Sequence, residues 1–200
     1  FGYNERIEWL RAADGVMDLE VGRVIAEHKE RYMVVTAKGE YEAEVTGNLR
    51  FSAGSREDFP AVGDWVALTL YEPDLAIIHT ILPRSSILRR QAVGQFGEVQ
   101  VIAANIDCAF LVQAADRDFN INRLERYLTI CNASGVAAVI VLTKTDLAGE
   151  PRMAAIREAI QARLKDIPVV AVSNVTRTGY EGLNAALEKG RTYCMLGSSG

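Results

Sequence analysis

Thr143-Lys144-Thr145-Asp146 follows directly on the apolar run Val139-Ile140-Val141-Leu142, and these residue types at this spacing suit the reading of a guanine base. A carboxylate at Asp146 can accept hydrogen bonds from the ring N–H and the exocyclic amino group of guanine. Adenine presents an acceptor at the ring position, so the wrong base leaves a buried carboxylate unpaired, which costs more than the lost bonds. The stem of Lys144 can lie along the purine face while its ammonium stays near solvent or the ribose. The first position of this pattern ties the base loop to a phosphate loop. Thr143 has one side-chain donor there, where the more usual asparagine has two, so a weaker tie is expected. Ser173-Asn174 follows the next apolar run, Val169-Val170-Ala171-Val172. In guanine-binding sheets a Ser-Ala loop at this place offers a main-chain N–H to the base carbonyl, and here Asn174 stands for the alanine.

A third candidate closes the chain. Gly197-Ser198-Ser199-Gly200 follows Tyr193-Cys194-Met195-Leu196 and matches the first half of a phosphate-binding loop, G-x-x-x-x-G-K-[ST]. Taken alone, such a tail is also what an ordinary turn looks like. The candidate nucleotide-binding residues are therefore Thr143, Lys144, Thr145, Asp146, Ser173, Asn174, Gly197, Ser198, Ser199 and Gly200. No catalytic residue and no metal ligand is assigned.

The elements that must position these residues change character along the chain. Asn4 caps a short expected helix over 4–13. Val21–26, Tyr32–36, Tyr41–45, Asp64–70 and Ala76–82 open five segments rich in β-branched and aromatic residues, punctuated by Lys38-Gly39, Ala53-Gly54-Ser55 and Gly63-Asp64. Five short strands of this kind fit a small closed barrel of the OB or SH3-like type, and closure hides strand edges. Residues 83–98 read as a linker. Beyond it, buried parallel strands are expected at 106–112, 137–142, 169–172 and 192–196. Between them lie amphipathic stretches: 122–131 with Leu124, Leu128 and Cys131 on one face, 151–164 with Met153, Ile156, Ile160 and Leu164, and 180–187 with Leu183 and Leu187. Alternating strand and helix predicts a doubly wound α/β sheet. Ligands of such sheets sit beyond the carboxyl ends of the strands, where the candidate residues fall.

With 49% hydrophobic residues the chain can bury a core, and a net charge of −4 argues against indiscriminate polyanion binding. Cys108, Cys131 and Cys194 are scattered through apolar segments with no C-x-x-C pair, which predicts buried, reduced thiols in a cytoplasmic protein. The longest apolar run, 136–142, is too short to span a bilayer, so no membrane partner is expected. The chain opens at Phe1 with no cationic-then-apolar signal, and both ends are expected to be trimmed. His28 and His79 read as surface or packing histidines and Trp9 and Trp65 as packing anchors. Arg84, Arg89 and Arg90 read either as a solvated linker or as contacts to RNA phosphate.

The order of these motifs resembles the circularly permuted ribosome small subunit-dependent GTPases, the RsgA/YjeQ family, in which the base-reading loops precede the phosphate loop. The likeness runs through residues 81–90, 100–107, Asp118-Phe119-Asn120, Leu124-Glu125-Arg126-Tyr127-Leu128, the Thr-Lys-x-Asp box, Val172-Ser173, Thr178-Gly179-Tyr180-Glu181-Gly182-Leu183 and Gly197–200. It implies a β-barrel (OB-fold) followed by an α/β P-loop GTPase-type domain, circularly permuted and incomplete, with the chain truncated inside its P-loop. On that basis residues 1–20 form a helical extension, 21–90 the RNA-binding barrel and 91–200 the partial GTPase domain. The end at the P-loop strand is expected to be an exposed edge. The resemblance further implies GTP/GDP as ligand, Mg2+ held by residues outside this chain, and Zn2+ in a further C-terminal domain. The expected partners are the small ribosomal subunit and its rRNA, contacted by a cytoplasmic monomer.

The expected function is that of a GTP-hydrolysing factor in late maturation of the small subunit, with this fragment alone inactive. Two alternatives stand beside it: a non-enzymatic RNA-binding module with a degenerate nucleotide domain, and an unrelated α/β enzyme acting on a phosphorylated metabolite.

Overall fold

The structure, a computed structural model, describes residues 2–91 and 99–197. The chain forms two compact units, Phe1–Ile106 and Asp107–Gly200.

The first unit opens with α1 (Glu5–Ala13). Asn4 is extended, and its side chain accepts the Ile7 N–H at 3.2 Å, capping one of the helix's orphan donors. Ile7 and Leu10 form one buried stripe against Trp65 and Leu82. Trp9 falls off that stripe and is 67% exposed, so it is not the packing anchor expected of it, whereas Trp65 is buried.

Five strands follow: β1 (Glu20–His28), β2 (Arg31–Thr36), β3 (Gly39–Val45), β4 (Trp65–Glu72) and β5 (Leu75–Ile81). A short α2 (Gly47–Ser52) lies between β3 and β4. The strands close into a barrel in the order β1-β2-β3-β5-β4, with β3 and β5 parallel and the other pairs antiparallel. Alternation fills the interior: Tyr32 and Val34 from β2 and Ala76 and Ile78 from β5 meet Val24, Val66 and Leu68. A register shift between Val24 and Ala26 accommodates the extra residue of a bulge in β1.

The expected linker holds a strand. β6 (Ile87–Gln91) pairs antiparallel with β7 (Val99–Ala104), with Leu88 and Ala104 fully buried, and the first unit runs on to Ile106. Residues 92–98 of that expected linker lie outside the described residues. Two of the three arginines that made this segment look solvated are paired with acids. Arg84 meets the fully buried Asp64 carboxylate in a two-pronged pair, Nε to Oδ1 at 2.8 Å and Nη2 to Oδ2 at 2.6 Å. It also donates to the carbonyls of Glu57 and Phe59. Arg89 forms a similar pair with Glu57 at 2.6 and 2.9 Å, and Arg90 reaches Gln100 across the hairpin. Contact of Arg84 with RNA phosphate, one of the two expectations for this cluster, would break its buried pair, whereas Arg89 keeps part of its guanidinium exposed beside Glu57. Gly63 lies beneath the hairpin with φ +96°, and a Cβ there would come within 2.1 Å of the Ala104 carbonyl oxygen. The Asn105 side chain completes the join, donating to the Gly63 carbonyl and accepting the Ser85 N–H.

In the second unit β8 (Cys108–Ala114), β9 (Ala137–Thr143), β10 (Val169–Ala171) and β11 (Tyr193–Gly197) form one parallel sheet in the order β10-β9-β8-β11. Three helices connect them: α3 (Ile121–Ala133), α4 (Glu150–Arg163) and α5 (Tyr180–Ala185). The β8 run is buried along most of its length, as a strand covered on both faces must be. Leu124 and Cys131 face inward from α3, and Met153, Ile156 and Ile160 from α4, close to the expected stripes. The three cysteines are free. Burial pushes Cys131 up to about 11 and Cys194 up to about 12, so the thiols stay protonated at neutral pH. Among the described residues, no helix is long and apolar enough to cross a membrane.

Removing one partner of the Asp64–Arg84 pair strands a buried charge. Arg84→Met is expected to lower unfolding stability by about 3–5 kcal/mol in urea titration. The double variant Asp64→Leu/Arg84→Met is expected to recover part of that loss, because no unpaired carboxylate remains.

Candidate functional site

All four strands of the parallel sheet end on one side, and the residues that could do chemistry are grouped there. β9 delivers Thr143 to this edge, where its carbonyl accepts the Ala115 N–H at 2.8 Å from the end of β8. Lys144 then adopts a left-handed conformation, φ 56° and ψ 36°. A non-glycine residue in this region is uncommon, and such positions concentrate where a loop has a task. The turn starts a short 3-10 helix over Thr145–Leu147, which is held toward the neighbouring strand by the bond from the Thr145 N–H to the Val172 carbonyl. Asp146 stands exposed on this helix.

One turn beyond β10, Ser173 is fully buried and joins the two loops. Its hydroxyl donates to Asp146 Oδ1 at 2.5 Å and accepts the N–H groups of Val175 and Thr176 at 3.2 and 3.1 Å. A single oxygen thus closes the serine loop and fixes the carboxylate. Among the described residues nothing else bonds this carboxylate, so Asp146 Oδ2 and one lone pair of Oδ1 can accept two further donors. The pair of N–H groups on the amidine edge of a guanine fits that requirement, and the charge on the acceptor strengthens each bond.

Lys144 is held from the side. Its ammonium lies 3.8 Å from Asp116 Oδ2, while Asp116 Oδ1 accepts the Asp118 N–H at 2.9 Å. Arg152 of α4 donates to the Asp116 carbonyl at 2.9 Å. Gln113 pins the rest of the loop, exchanging two hydrogen bonds with the main chain of Asn120, the cap of α3. Sequence reasoning passed over Asp116 and Gln113. The signal was available, because both stand at the carboxyl end of β8, where such sheets gather their functional groups.

On the far side Asn174 is exposed, and its Oδ1 accepts the Tyr180 hydroxyl at 2.6 Å. Tyr180 is the first residue of α5. The turn that places it needs Gly179, since a Cβ there would fall 1.8 Å from the Ala171 carbonyl oxygen at φ +79°. Gly197 ends β11 beside Val112, and a Cβ there would meet the Val112 carbonyl oxygen at 2.9 Å. Ser198, Ser199 and Gly200 lie outside the described residues. The structure therefore brings Thr143, Lys144, Thr145, Asp146, Ser173 and Asn174 into adjoining loops, with Gly197 closing a strand at the same edge.

With that geometry in view, residues 81–200 match the family described as RsgA GTPase. The chain belongs to the RsgA GTPase family. It is 42% identical over 180 residues to the small ribosomal subunit biogenesis GTPase RsgA 2 of Lactiplantibacillus plantarum, covering 90% of this chain and 50% of that one. The RsgA of Opitutus terrae is also 42% identical, over 188 residues, covering 89% of this chain and 50% of its own length. The chain thus spans about half the length of the RsgA relatives it matches. Among solved structures, YjeQ from Thermotoga maritima superposes with a TM-score of 0.69 at 24% identity, covering 90% of this chain and 61% of that one. YloQ, described as a circularly permuted GTPase, superposes at 0.66 and 21% identity, covering 91% and 61%. The fold is the one expected, an OB barrel followed by a permuted GTPase-type sheet.

Ser173→Ala takes the acceptor from two loop N–H groups and releases Asp146. It is expected to lower stability by about 1–2 kcal/mol and to speed amide exchange at Val175 and Thr176, read by hydrogen–deuterium exchange. Amides of β8 and β9 should exchange as before.

Proposed function

We propose that the full-length protein binds and hydrolyses GTP and acts in late maturation of the small ribosomal subunit, and that this chain carries the half of the site that reads the base. The observation that carries this reading is the hydrogen bond from buried Ser173 to Asp146, which presents an oriented carboxylate at the carboxyl edge of a parallel sheet, next to Lys144. Asp146 accepts the ring N–H and amino group of guanine, and adenine would set an acceptor against it. The aliphatic stem of Lys144 covers one face of the purine, with its ammonium steered by Asp116. The Asn174 main-chain N–H, which has no partner among the described residues, faces the base carbonyl. Gly197 leads into the phosphate loop. These residues bind and orient the nucleotide, and no step of phosphoryl transfer is assigned to them. Mg2+, for which no ligand is assigned among these residues, would supply electrostatic stabilisation of the phosphate charge.

Two relatives named as small ribosomal subunit biogenesis GTPases support the partner. The OB barrel supports contact with rRNA, since such barrels take oligonucleotides on loops and exposed faces. Arg84 is committed to the buried Asp64, so this contact falls to more exposed groups, and the exposed aromatics Phe51 and Tyr71 are suited to base stacking. The alternative of a degenerate nucleotide domain has less support, because both base loops keep their acceptor, their lysine and their mutual hydrogen bond.

In the full-length protein, Asp146→Asn is expected to weaken GTP binding by roughly a hundredfold or more and to shift preference to xanthosine triphosphate. Unchanged affinities for both would remove the base assignment. Isolated small subunits are expected to accelerate GTP turnover by the wild-type protein, and equal turnover with and without them would refute the ribosomal role.

A further inference from the structure

The serine loop carries a second internal hydrogen bond besides that of Ser173. Four main-chain N–H groups in and beside the loop could meet a base carbonyl, and three of them are occupied. Ser173 N–H bonds the Thr178 carbonyl at 3.2 Å, and those of Val175 and Thr176 bond the Ser173 hydroxyl. Of these four, the Asn174 N–H alone has no partner among the described residues. What holds that residue in place is its own side chain, whose Oδ1 accepts the Tyr180 hydroxyl. The Tyr180 ring is anchored in turn: it packs with the sheet cluster of Phe110, Val141 and Val172, and the Arg177 guanidinium lies 5.9 Å over it. An alanine at position 174, the usual residue of this loop, would leave the hydroxyl nothing to grip.

We propose that Asn174 and Tyr180 form a latch that aims the Asn174 main-chain N–H at the 6-oxo group of guanine, making Tyr180 a specificity-determining positioning residue. The proposal rests on the guanine-binding reading given above. It also gives a physical counterpart to Thr143. With a single donor at the position that normally ties the base loop to the phosphate loop, the base loops gain a second tether, through α5 and the sheet. The tether acts on one contact only. The ring N–H and amino group of the base belong to Asp146, which Ser173 orients independently of Tyr180.

That separation makes the latch testable in the full-length protein with three nucleotides. GDP has all three recognition groups, inosine diphosphate lacks the amino group, and 6-thio-GDP keeps both N–H donors but replaces the 6-oxo oxygen with sulfur, a weaker acceptor. Tyr180→Phe keeps the packed ring and removes only the hydroxyl. It is expected to weaken GDP roughly five- to tenfold while leaving 6-thio-GDP nearly unchanged, so that the gap between these two closes. The gap between GDP and inosine diphosphate should persist. Asn174→Ala, on an exposed loop, should reproduce the effect, and the double variant should be no worse than either single one. Equal weakening of GDP and 6-thio-GDP, no weakening of either, or a wild-type protein that does not distinguish them would overturn the latch. A wild-type protein that binds inosine diphosphate as tightly as GDP would instead refute the reading of Asp146 itself.

Discussion

A parallel sheet has no short way back. Each connection must return the chain to the starting edge, so all four strands from Cys108 to Gly197 finish on the same side. The backbone groups at those finishing points, no longer paired within the sheet, need partners. In this protein the loops supply them mutually. Thr143 serves Ala115, Val172 serves Thr145, and the Ser173 hydroxyl serves Val175, Thr176 and Asp146 at once. The candidate site is thus the place where the sheet resolves its own termini. The same hydrogen bonds that end the strands orient the carboxylate.

The barrel follows a different rule. Its outer charges pair with one another: Arg31 of β2 with Glu42 and Glu44 of β3, and from turns and short helices Lys38 with Glu20, Arg50 with Glu30 and Arg56 with Glu27. Exposed pairs of this kind add little stability, but they neutralise the positive charge that would otherwise seek phosphates broadly. Arg84 is of another kind. Its buried pair with Asp64 holds the turn before β4 to the segment leading into β6, and with Asn105 and Gly63 it makes the hairpin part of the first unit.

Periodicity made the regular elements legible. Strands that alternate or run wholly apolar fell within a few residues of their observed ends, and Asn4 caps its helix as expected. The two candidate loops were legible as neighbours because each follows a strand of one parallel sheet, and the structure joins them through Ser173 and Asp146. What the sequence hid was pairing at long range. β6 reads as a charged linker because the acids that neutralise Arg84 and Arg89 lie some twenty and thirty positions earlier. Trp9 looked like an anchor on size alone, whereas its place one step off the Ile7 and Leu10 stripe decides its exposure. Asn174 read only as a replacement for alanine, and its partner Tyr180 appears only once α5 is placed.

The sheet order also bears on how the protein is made. β8, β9 and β10 are neighbours joined by single crossovers, so they can pair as they emerge during synthesis. β11 must instead find β8 again across the whole intervening unit, with Leu196 opposite Leu111. Long-range pairing of this sort is slow. For as long as β11 is absent, the edge of β8 that carries Phe110 and Leu111 offers unsatisfied backbone groups beside an apolar surface. The nascent chain therefore assembles the loops of the candidate site first and passes through an interval in which that edge needs shelter.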